Sequence, residues 1–310
     1  MNDDDPSKEN PESGETEIGV QGIEALPQKV DRYSKAKKIA LDVANYMSTV
    51  EGLQATAKRV DSCGDYLVFR HYFTVDKVRL HGARLCMKHL LCPLCAIRRG
   101  AKALKAYLDR WECIHAEKPS LKPYLITLTV KDGEDLAERF KHLYKSQQEL
   151  WKRKQRGRVS SLDGVVGAVW SYEVKRGKGS GLWHPHLHMI ALAENQPDQI
   201  ALGQEWKNIT GDSHIVDVRP ISQTDPVSGF LEVFKYAVKF TDQPPADTVH
   251  CWQTLATKRL IGSSGAFRGV IVPDTLLDDP EGFQDLPYVT LFYWYLRDKG
   301  YSLIPYAVGV

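Results

Sequence analysis

The sequence lacks any segment apolar enough to cross a membrane as a helix. Such a helix needs about 20 consecutive apolar residues, and no run of that kind occurs in the 310 residues. The first residues also lack the basic stretch and the apolar stretch of a secretory signal peptide. We therefore expect a cytoplasmic protein without a membrane partner. In that reducing compartment the six cysteines are not expected to form disulfides.

The chain also has little net charge, because an acidic segment masks a basic remainder. The formal charge of the whole sequence is +2. Residues 1–20 contain seven carboxylates and one lysine, a balance of −6, which leaves +8 for the rest. This segment is poor in apolar residues and cannot offset the entropy cost of folding. We predict a disordered acidic tail over residues 1–30, followed by a basic folded part.

The hydrophobic periodicity predicts a mixture of helices and strands. Helical spacing occurs at residues 31–48, 93–113, 134–154, 198–208 and 227–240. Strand patterns occur at residues 66–73, 77–85, 124–130, 165–174, 184–192 and 214–219. The order is not a regular alternation of strand and helix, which argues against a doubly wound parallel sheet. The sequence therefore predicts an α+β fold with a central antiparallel β-sheet flanked by helices.

One predicted strand carries three histidines. Side chains alternate between the two faces of a strand, so His186 and His188 project together. Two adjacent imidazoles can chelate a divalent ion, and Glu173 on the preceding strand can add a carboxylate if the glycine-rich connection forms a hairpin. His184 has the same parity but precedes a proline at the strand edge, so it ranks below Glu173. A half-exposed strand with chance histidines is the alternative interpretation.

The predicted ligand set also limits the metal. A site with few protein ligands leaves coordination positions open, and a metal there can polarise a phosphate and fix its geometry. Such a site suits Mg²⁺ or Mn²⁺. Zinc or copper would bind it as well by intrinsic affinity, so availability and chemistry decide the identity of the ion.

A predicted helix downstream places three polar residues on one face. Glu232 and Tyr236 are four residues apart, and Tyr236 and Lys239 are three apart. A phenol has a pKa of about 10, so Tyr236 needs a base or a polarised phosphate to react as a nucleophile. Lys239 can stabilise the phenolate, and Glu232 can accept a proton from water. A solvated Glu–Lys helix face is the alternative.

Four cysteines have the spacing of a metal site. Cys92 and Cys95 are separated by two residues, which is the knuckle spacing of tetrahedral zinc sites, and Cys63 and Cys86 lie upstream. His89 lies between them and can replace one thiolate. This pattern predicts a structural Zn²⁺ ion. Buried free cysteines are the alternative.

Basic residues follow the cysteines directly: Arg98, Arg99, Lys102 and Lys105. Basic residues at this density can neutralise DNA phosphates and give salt-dependent binding. Trp183, beside the histidines, can stack on unpaired bases. A solvated helix face and a core tryptophan are the alternatives.

The joint order of these motifs resembles the plasmid rolling-circle replication initiator (Rep) family of the HUH endonuclease superfamily. The name HUH denotes His, a hydrophobic residue and His. Residues 125–130 (Leu-Ile-Thr-Leu-Thr-Val) resemble its first motif, residues 184–190 its second and residues 232–239 its third. Residues 258–265 resemble a family strand downstream. The likeness spans roughly residues 60–270, in order, and the joint pattern is more specific than any one motif.

The resemblance implies a domain order and a reaction. It implies an HUH nuclease core over residues 119–275, after a helical, zinc-binding region at 31–118 and before a C-terminal segment of unknown role at 276–310. His186 and His188 would bind the metal. The tyrosine of the third motif would nick one strand at the double-strand origin, leaving a 5′-phosphotyrosine and a 3′-OH primer.

The third motif also has two assisting residues in the family. The resemblance implies that Lys239 assists Tyr236, and that Glu232 activates the water that ends a replication round. Termination would then occur by strand transfer or hydrolysis. The implied partners are plasmid origin DNA, single-stranded or as a hairpin, and a host helicase, single-strand binding protein and DNA polymerase.

Three other interpretations remain open at the level of sequence. An HUH transposase or relaxase would use the same chemistry on other DNA. A non-catalytic, zinc-dependent DNA-binding regulator would bind DNA without a covalent adduct. An ordinary metallohydrolase would use the His pair to activate water and would keep its activity without Tyr236.

Overall fold

The computed structural model describes residues 22–156, 160–235 and 242–304. The chain divides into two compact units. Unit 1 comprises Met1–Lys102 together with Pro273–Val310, and unit 2 comprises Ala103–Val272. Each unit contains one antiparallel β-sheet with helices, so the predicted α+β class is confirmed. Within the described ranges no helix is long and apolar enough to cross a membrane.

Unit 1 is built on a four-stranded sheet that joins distant parts of the chain. Its strands are β1 (Tyr66–Tyr72), β2 (Lys77–Ala83), β8 (Val289–Leu296) and β9 (Gly300–Ile304), in the order β2-β1-β8-β9. All the pairings are antiparallel. The segment 276–310, to which the sequence assigned no role, therefore supplies half of this sheet.

Helices α1 (Leu26–Ser48) and α2 (Gln54–Asp61) precede the sheet of unit 1. Helix α1 begins five residues earlier than its periodicity predicted. Pro27 fits in its first turn because the backbone N–H that proline lacks would have no partner within the helix there. The helix packs against β9. Helix α3 (Pro93–Glu117) also begins with a proline and runs past the predicted end near Cys113.

Unit 2 is built on a five-stranded antiparallel sheet. Its strands are β3 (Lys122–Thr129), β4 (Gly167–Arg176), β5 (Trp183–Ala193), β6 (Val216–Pro220) and β7 (Ile261–Gly265), in the order β6-β3-β5-β4-β7. The central strand is β5, and it is paired along its length with β3 and β4. The strand that carries the histidines is thus the most enclosed strand of the sheet.

Among the described residues, unit 2 has four helices after α3: α4 (Leu136–Gln155), α5 (Gln199–Thr210), α6 (Pro226–Phe234) and α7 (Pro245–Leu255). The side chains of Asp135 and Asp198 cap the first turns of α4 and α5 by accepting backbone hydrogen bonds. Helix α4 packs against β5, and α6 packs against β4 and β5. The helix predicted over 227–240 is described as far as Phe234, and residues 236–241 lie outside the described residues.

Candidate functional site

The hairpin of β4 and β5 brings three potential metal ligands together. Glu173 pairs directly with His186, and Ser171 pairs with His188, so the carboxylate and both imidazoles share one face of the sheet. Glu173 Oε2 lies 2.9 Å from His186 Nε2 and 3.5 Å from His188 Nε2. The three ligand atoms all lie within 4.8 Å of one another. The structure therefore groups the three residues that the sequence singled out.

The second nitrogen of each imidazole has its own oxygen partner. His186 Nδ1 lies 3.4 Å from the backbone oxygen of His184, a carbonyl that accepts a hydrogen bond when Nδ1 is protonated. His188 Nδ1 lies 3.0 Å from Thr127 Oγ1 on β3. Such partners fix the orientation of metal-binding histidines and leave Nε2 toward the ion. Both Nε2 atoms here face Glu173.

A divalent cation fits this group of residues. Glu173 is 1% exposed, so its carboxylate is held inside the protein beside two imidazoles. His188 Nε2 is buried and has no hydrogen-bond partner among the residues described. A buried nitrogen of this kind costs free energy unless an ion or a proton satisfies it. The group has only three protein ligands, which leaves coordination positions open for a substrate oxygen.

His184 does not join the group of three ligands. Its ring centroid lies 5.3 Å from that of His186, but its Nδ1 is 2.6 Å from Asp132 Oδ1. Ser180 donates a hydrogen bond to the other oxygen of Asp132. Burial opposes ionisation of this carboxyl, yet hydrogen bonds from Ser180 and His184 outweigh it and lower the pKa of Asp132. The lower rank given to His184 agrees with this placement.

Helix α6 carries the one member of the tyrosine motif that the structure describes. Glu232 lies in its last turn, where Lys235 Nζ approaches its carboxylate to 2.5 Å. Phe230, Val233 and Phe234 form the buried side of the helix. Tyr236 and Lys239 lie outside the described residues, so their roles remain predictions.

The four cysteines of the predicted zinc site converge in unit 1. Cys63 follows α2, Cys86 follows β2, and Cys92 and Cys95 stand at the start of α3. All four are buried. The sulfur of Cys63 lies 3.5 Å from those of Cys92 and Cys95, and the sulfur of Cys86 lies 3.6 Å from that of Cys95. His89 is not a member of this group.

The separation of the sulfurs fits a tetrahedral ion. Four thiolates at a Zn–S distance of about 2.3 Å stand about 3.8 Å apart, close to the distances observed here. The backbone amide of Cys86 donates to the sulfur of Cys63 at 3.2 Å. Hydrogen bonding to Cys63 and burial raise the pKa of Cys92 well above the usual thiol value. The thiols would therefore need a cation to be held together as thiolates.

The predicted DNA-binding residues of α3 occupy different environments. Arg98 is 2% exposed, and its guanidinium donates to the carboxylate of Asp278 and the backbone oxygen of Leu276. Arg99 donates to the backbone oxygen of Pro273. Lys102 is half-buried, and burial lowers its pKa. Lys105 is exposed and lies 2.8 Å from Asp109. Arg98 thus points inward, whereas Lys105 reaches solvent.

Trp183 is also enclosed. It is 2% exposed, with the Arg176 guanidinium 3.7 Å above its ring and the His250 ring 5.4 Å away on a nearly parallel plane. A base could stack on this tryptophan only if these neighbours moved. The core interpretation of Trp183 agrees better with its surroundings.

Sequence reasoning missed two residues that hold the histidines in place. Thr127 contacts His188, and Asp132 contacts His184. Thr127 lies in the Thr-Leu-Thr stretch that resembles the first family motif. Thr127 pairs with His188, so the contact could have been predicted had the antiparallel pairing of β3 with β5 been known. Asp132 lies beyond the end of β3, where no periodic pattern indicates its position.

Comparison with known proteins gives a consistent result. Residues 77–289, more than half of the chain, match the family described as Replication protein. A Protein rep of Streptococcus pneumoniae is 24% identical over 77% of this chain and 79% of its own length. A Protein rep of a Bacillus species is 26% identical over 73% and 83%, and one of Lactiplantibacillus plantarum is 25% identical over 71% and 72%. No solved structure matches significantly. The chain belongs to the replication protein family, which confirms the resemblance to Rep proteins seen in its motifs.

Proposed function

We propose that this protein initiates plasmid rolling-circle replication by nicking one DNA strand at the double-strand origin. The observation that supports this most directly is the group of Glu173, His186 and His188 on two adjacent strands of unit 2. Its open, mixed carboxylate–imidazole composition suits a catalytic ion better than a structural one. The five-stranded antiparallel sheet with the His pair on its central strand supports an HUH nuclease core.

The residues of this chain have distinct roles in the proposed reaction. Glu173, His186 and His188 would hold a Mg²⁺ or Mn²⁺ ion, and such an ion would polarise the scissile phosphate when bound. Tyr236 supplies the nucleophile: its phenol oxygen forms a bond to phosphorus as the bond to the 3′ oxygen breaks. The products are a 5′-phosphotyrosine and a 3′-OH that primes synthesis. Lys239 stabilises the negative charge of the Tyr236 phenolate.

Termination uses a second residue of the same motif. Glu232 lies two residues before the end of α6, and α6 packs against the strands that hold the ligands. We propose that Glu232 accepts a proton from the water that ends a replication round by hydrolysis. A round can also end by strand transfer, in which a 3′-OH attacks the phosphotyrosine and closes the displaced strand into a circle.

The four cysteines support a structural role for a second metal. We propose that Cys63, Cys86, Cys92 and Cys95 bind Zn²⁺ in unit 1. Four buried thiols saturate a tetrahedral ion and leave no position for a substrate. Such an ion links the end of α2, the segment after β2 and the start of α3.

The substrate we propose is plasmid origin DNA, single-stranded or extruded as a hairpin. Exposed or half-buried cations on α3, namely Arg99, Lys102 and Lys105, can contact its phosphates. Arg98 is excluded from this role by its burial beside Asp278. A host helicase, single-strand binding protein and DNA polymerase would act at the 3′ end after the nick.

The formation of a covalent adduct tests this proposal. The full-length protein is incubated with Mn²⁺ and a labelled origin hairpin, and the products are separated after boiling in detergent. We expect a labelled protein band for the wild type and none for Tyr236→Phe, with DNA binding retained. The matched control is Tyr46→Phe, which removes the hydroxyl of an exposed tyrosine in α1. An undiminished band from Tyr236→Phe would refute the proposed nucleophile.

A further inference from the structure

One face of the unit 1 sheet carries partly exposed aromatic and basic residues that the proposed nicking reaction does not use. Alternate residues of β1 and the residues paired with them form this open face: Tyr66, Val68 and Arg70 of β1, Arg79 of β2, and Phe292 and Trp294 of β8. The opposite face holds buried residues such as Leu67, Phe69 and Leu80. Toward Tyr72 the open face is covered by Phe283 and Tyr288, whereas the part around Trp294 is available to a partner.

Three aromatic rings on the open face have nearly parallel planes. The ring centroids of Tyr66, Phe292 and Trp294 lie 5.8 to 6.4 Å apart, and the planes are within 17° of parallel. Trp294 is 43% exposed. Trp294 is the most exposed ring of the three, and it offers the surface on which a flat ligand can stack. Contiguous apolar side chains at the surface of a folded protein are a common feature of binding sites.

Two arginines on the same face carry charge without a carboxylate partner. Arg70 and Arg79 stand directly opposite each other on β1 and β2, an arrangement that costs free energy unless an anion compensates it. In the described part of the chain neither forms an ion pair within 4.0 Å. Their guanidinium groups lie over the rings of Tyr288 and Phe283, at 4.2 and 4.9 Å. Burial and the charge of Arg70 lower the pKa of neighbouring His81.

The two features occur together at a spacing that suits a polymer. Along β1, Arg70 follows Tyr66 by four residues, which is about 13 Å at the rise of a β-strand. A strand of nucleic acid offers flat bases and anionic phosphates over such a span, and proteins bind it with aromatic platforms beside basic grooves. A duplex hides its bases in the stack, and an apolar protein partner would not need two arginines that lack a carboxylate partner.

We infer that the open face of the unit 1 sheet binds single-stranded DNA, with bases on Tyr66, Phe292 and Trp294 and phosphates on Arg70 and Arg79. The inference rests on the proposed function only for the choice of DNA as the nucleic acid. It gives the protein a second DNA contact that is made by the unit lacking the Glu–His–His group. This contact needs no ion at that group.

Binding of the full-length protein to a fluorescent 20-nucleotide oligo(dT), measured by anisotropy, tests the inference. We expect Trp294→Ala to raise Kd about fivefold or more, because it removes one stacking platform. Trp294→Phe keeps an aromatic face and should bind within about twofold of the wild type. The matched control is Phe73→Ala, which removes a ring of similar exposure, 51% against 43%, from the β1–β2 turn.

The arginines and the position of the DNA need separate measurements. Replacing both Arg70 and Arg79 by Gln should reduce the slope of log Kd against log salt by about 1.4, since each phosphate contact on a single strand contributes about 0.7. Photocrosslinking with bromodeoxyuridine oligonucleotides should give an adduct on the peptide containing Trp294. Circular dichroism of each variant checks that the fold is kept.

Several outcomes would overturn the inference and keep it apart from the nicking proposal. Unchanged Kd and salt slope, or adducts confined to Ala103–Val272, would show that the DNA binds elsewhere. A change of oligomeric state in Trp294→Ala without a change in DNA binding would make the face a protein interface. Crosslinking of the His186→Ala variant tests whether the open face binds DNA independently of the Glu–His–His group. An adduct at Trp294 without nicking supports binding at the open face, whereas loss of that adduct contradicts it.

Discussion

The two ligand clusters of this protein differ in how completely they enclose an ion. The cysteines of unit 1 offer four thiols, all buried, with sulfurs 3.5 to 3.6 Å apart where measured. The group in unit 2 offers three ligands on two strands, and the side chain of His188 is 12% exposed. A closed tetrahedral set leaves no position for a substrate, whereas an open set does.

The origin of the ligands differs as well. The cysteines come from the ends of helices and from the segment after β2, so an ion there ties the start of α3 to the segments that flank the β1–β2 hairpin. Glu173 and the two histidines come from one hairpin, β4–β5, whose register runs without interruption from Gly167 to Arg176. Their backbone is held by the sheet whether or not an ion is bound. The first cluster should therefore govern stability and the second should govern chemistry.

The largest expected effect is loss of the closed site. Cys92→Ser should abolish zinc binding and unfold the sheet of unit 1, because structural zinc contributes on the order of 10 kcal/mol in small domains. Metal analysis should fall from about one zinc per chain to none. Hydrogen exchange should show β1 losing protection while β5 keeps it. Cys113→Ser, at an exposed cysteine, serves as control. Stoichiometric zinc in Cys92→Ser would remove the contrast between the two clusters.

Loss of the open site should have the opposite signature. His188→Ala removes a ligand, and we expect single-turnover nicking in Mn²⁺ to fall by about three orders of magnitude, since metal catalysis supplies several kcal/mol. The melting temperature should stay close to that of the wild type, because the sheet pairing is unaffected. His214→Ala changes an exposed histidine of the same unit and should nick normally. A stable, fully active His188→Ala protein would exclude the proposed metal centre.

Both clusters could be predicted because their signals are local. The Cys-Pro-Leu-Cys knuckle lies within four residues, and a hairpin turn brings Glu173 opposite His186. The parity of a strand then decides which side chains meet. The α+β class followed from the order of elements in the same way.

Other features depend on partners that a single sequence does not connect. The sheet of unit 1 pairs β1 with β8, more than 200 residues later, and β8 has no motif that indicates this pairing. Arg98 belongs to a basic run that predicted DNA binding, yet Asp278, 180 residues away, accepts its hydrogen bond in the interior. Composition cannot distinguish a solvated arginine from one neutralised by a distant carboxylate.

The pair of Arg98 and Asp278 makes a third prediction, on the stability of unit 1. Burial opposes ionisation of Asp278, but the charges of Arg98 and Lys29 outweigh it and lower its pKa to about 2. A carboxyl with a lowered pKa stabilises the fold above its unfolded value of about 3.9 and loses that contribution as the pH falls toward 2. The unfolding temperature of unit 1 should therefore drop between about pH 4 and pH 2.

Asp278→Asn isolates this contribution. It removes a buried negative charge beside a buried guanidinium and should cost about 3 kcal/mol at neutral pH. The drop in the unfolding temperature between pH 4 and pH 2 should become smaller in the same variant. Asp274→Asn, at a fully exposed position, should change neither quantity. If Asp278→Asn kept the full acid dependence, other carboxyls would be responsible for it.

The smallest expected effect lies one contact away from the open site. Thr127→Val keeps the shape of the side chain but removes the oxygen that lies 3.0 Å from His188 Nδ1. Partners of this kind typically change metal affinity 10- to 100-fold. We expect Mn²⁺ to bind correspondingly more weakly, with nicking restored at high Mn²⁺ and by Thr127→Ser. Because the backbone of β5 is held by β3 and β4, the melting temperature should change little.

Thr129 provides the matched control for Thr127. It lies on the same face of β3, opposite His186, but its hydroxyl is directed to Ser213 and the backbone of Ile215. Thr129→Val should therefore leave Mn²⁺ affinity unchanged although it removes the same atom two residues away. Equal losses of affinity in the two variants would mean that strand packing, and not the contact to the imidazole, sets the affinity. A loss confined to Thr127→Val, reversed by Thr127→Ser, would assign it to the orientation of His188.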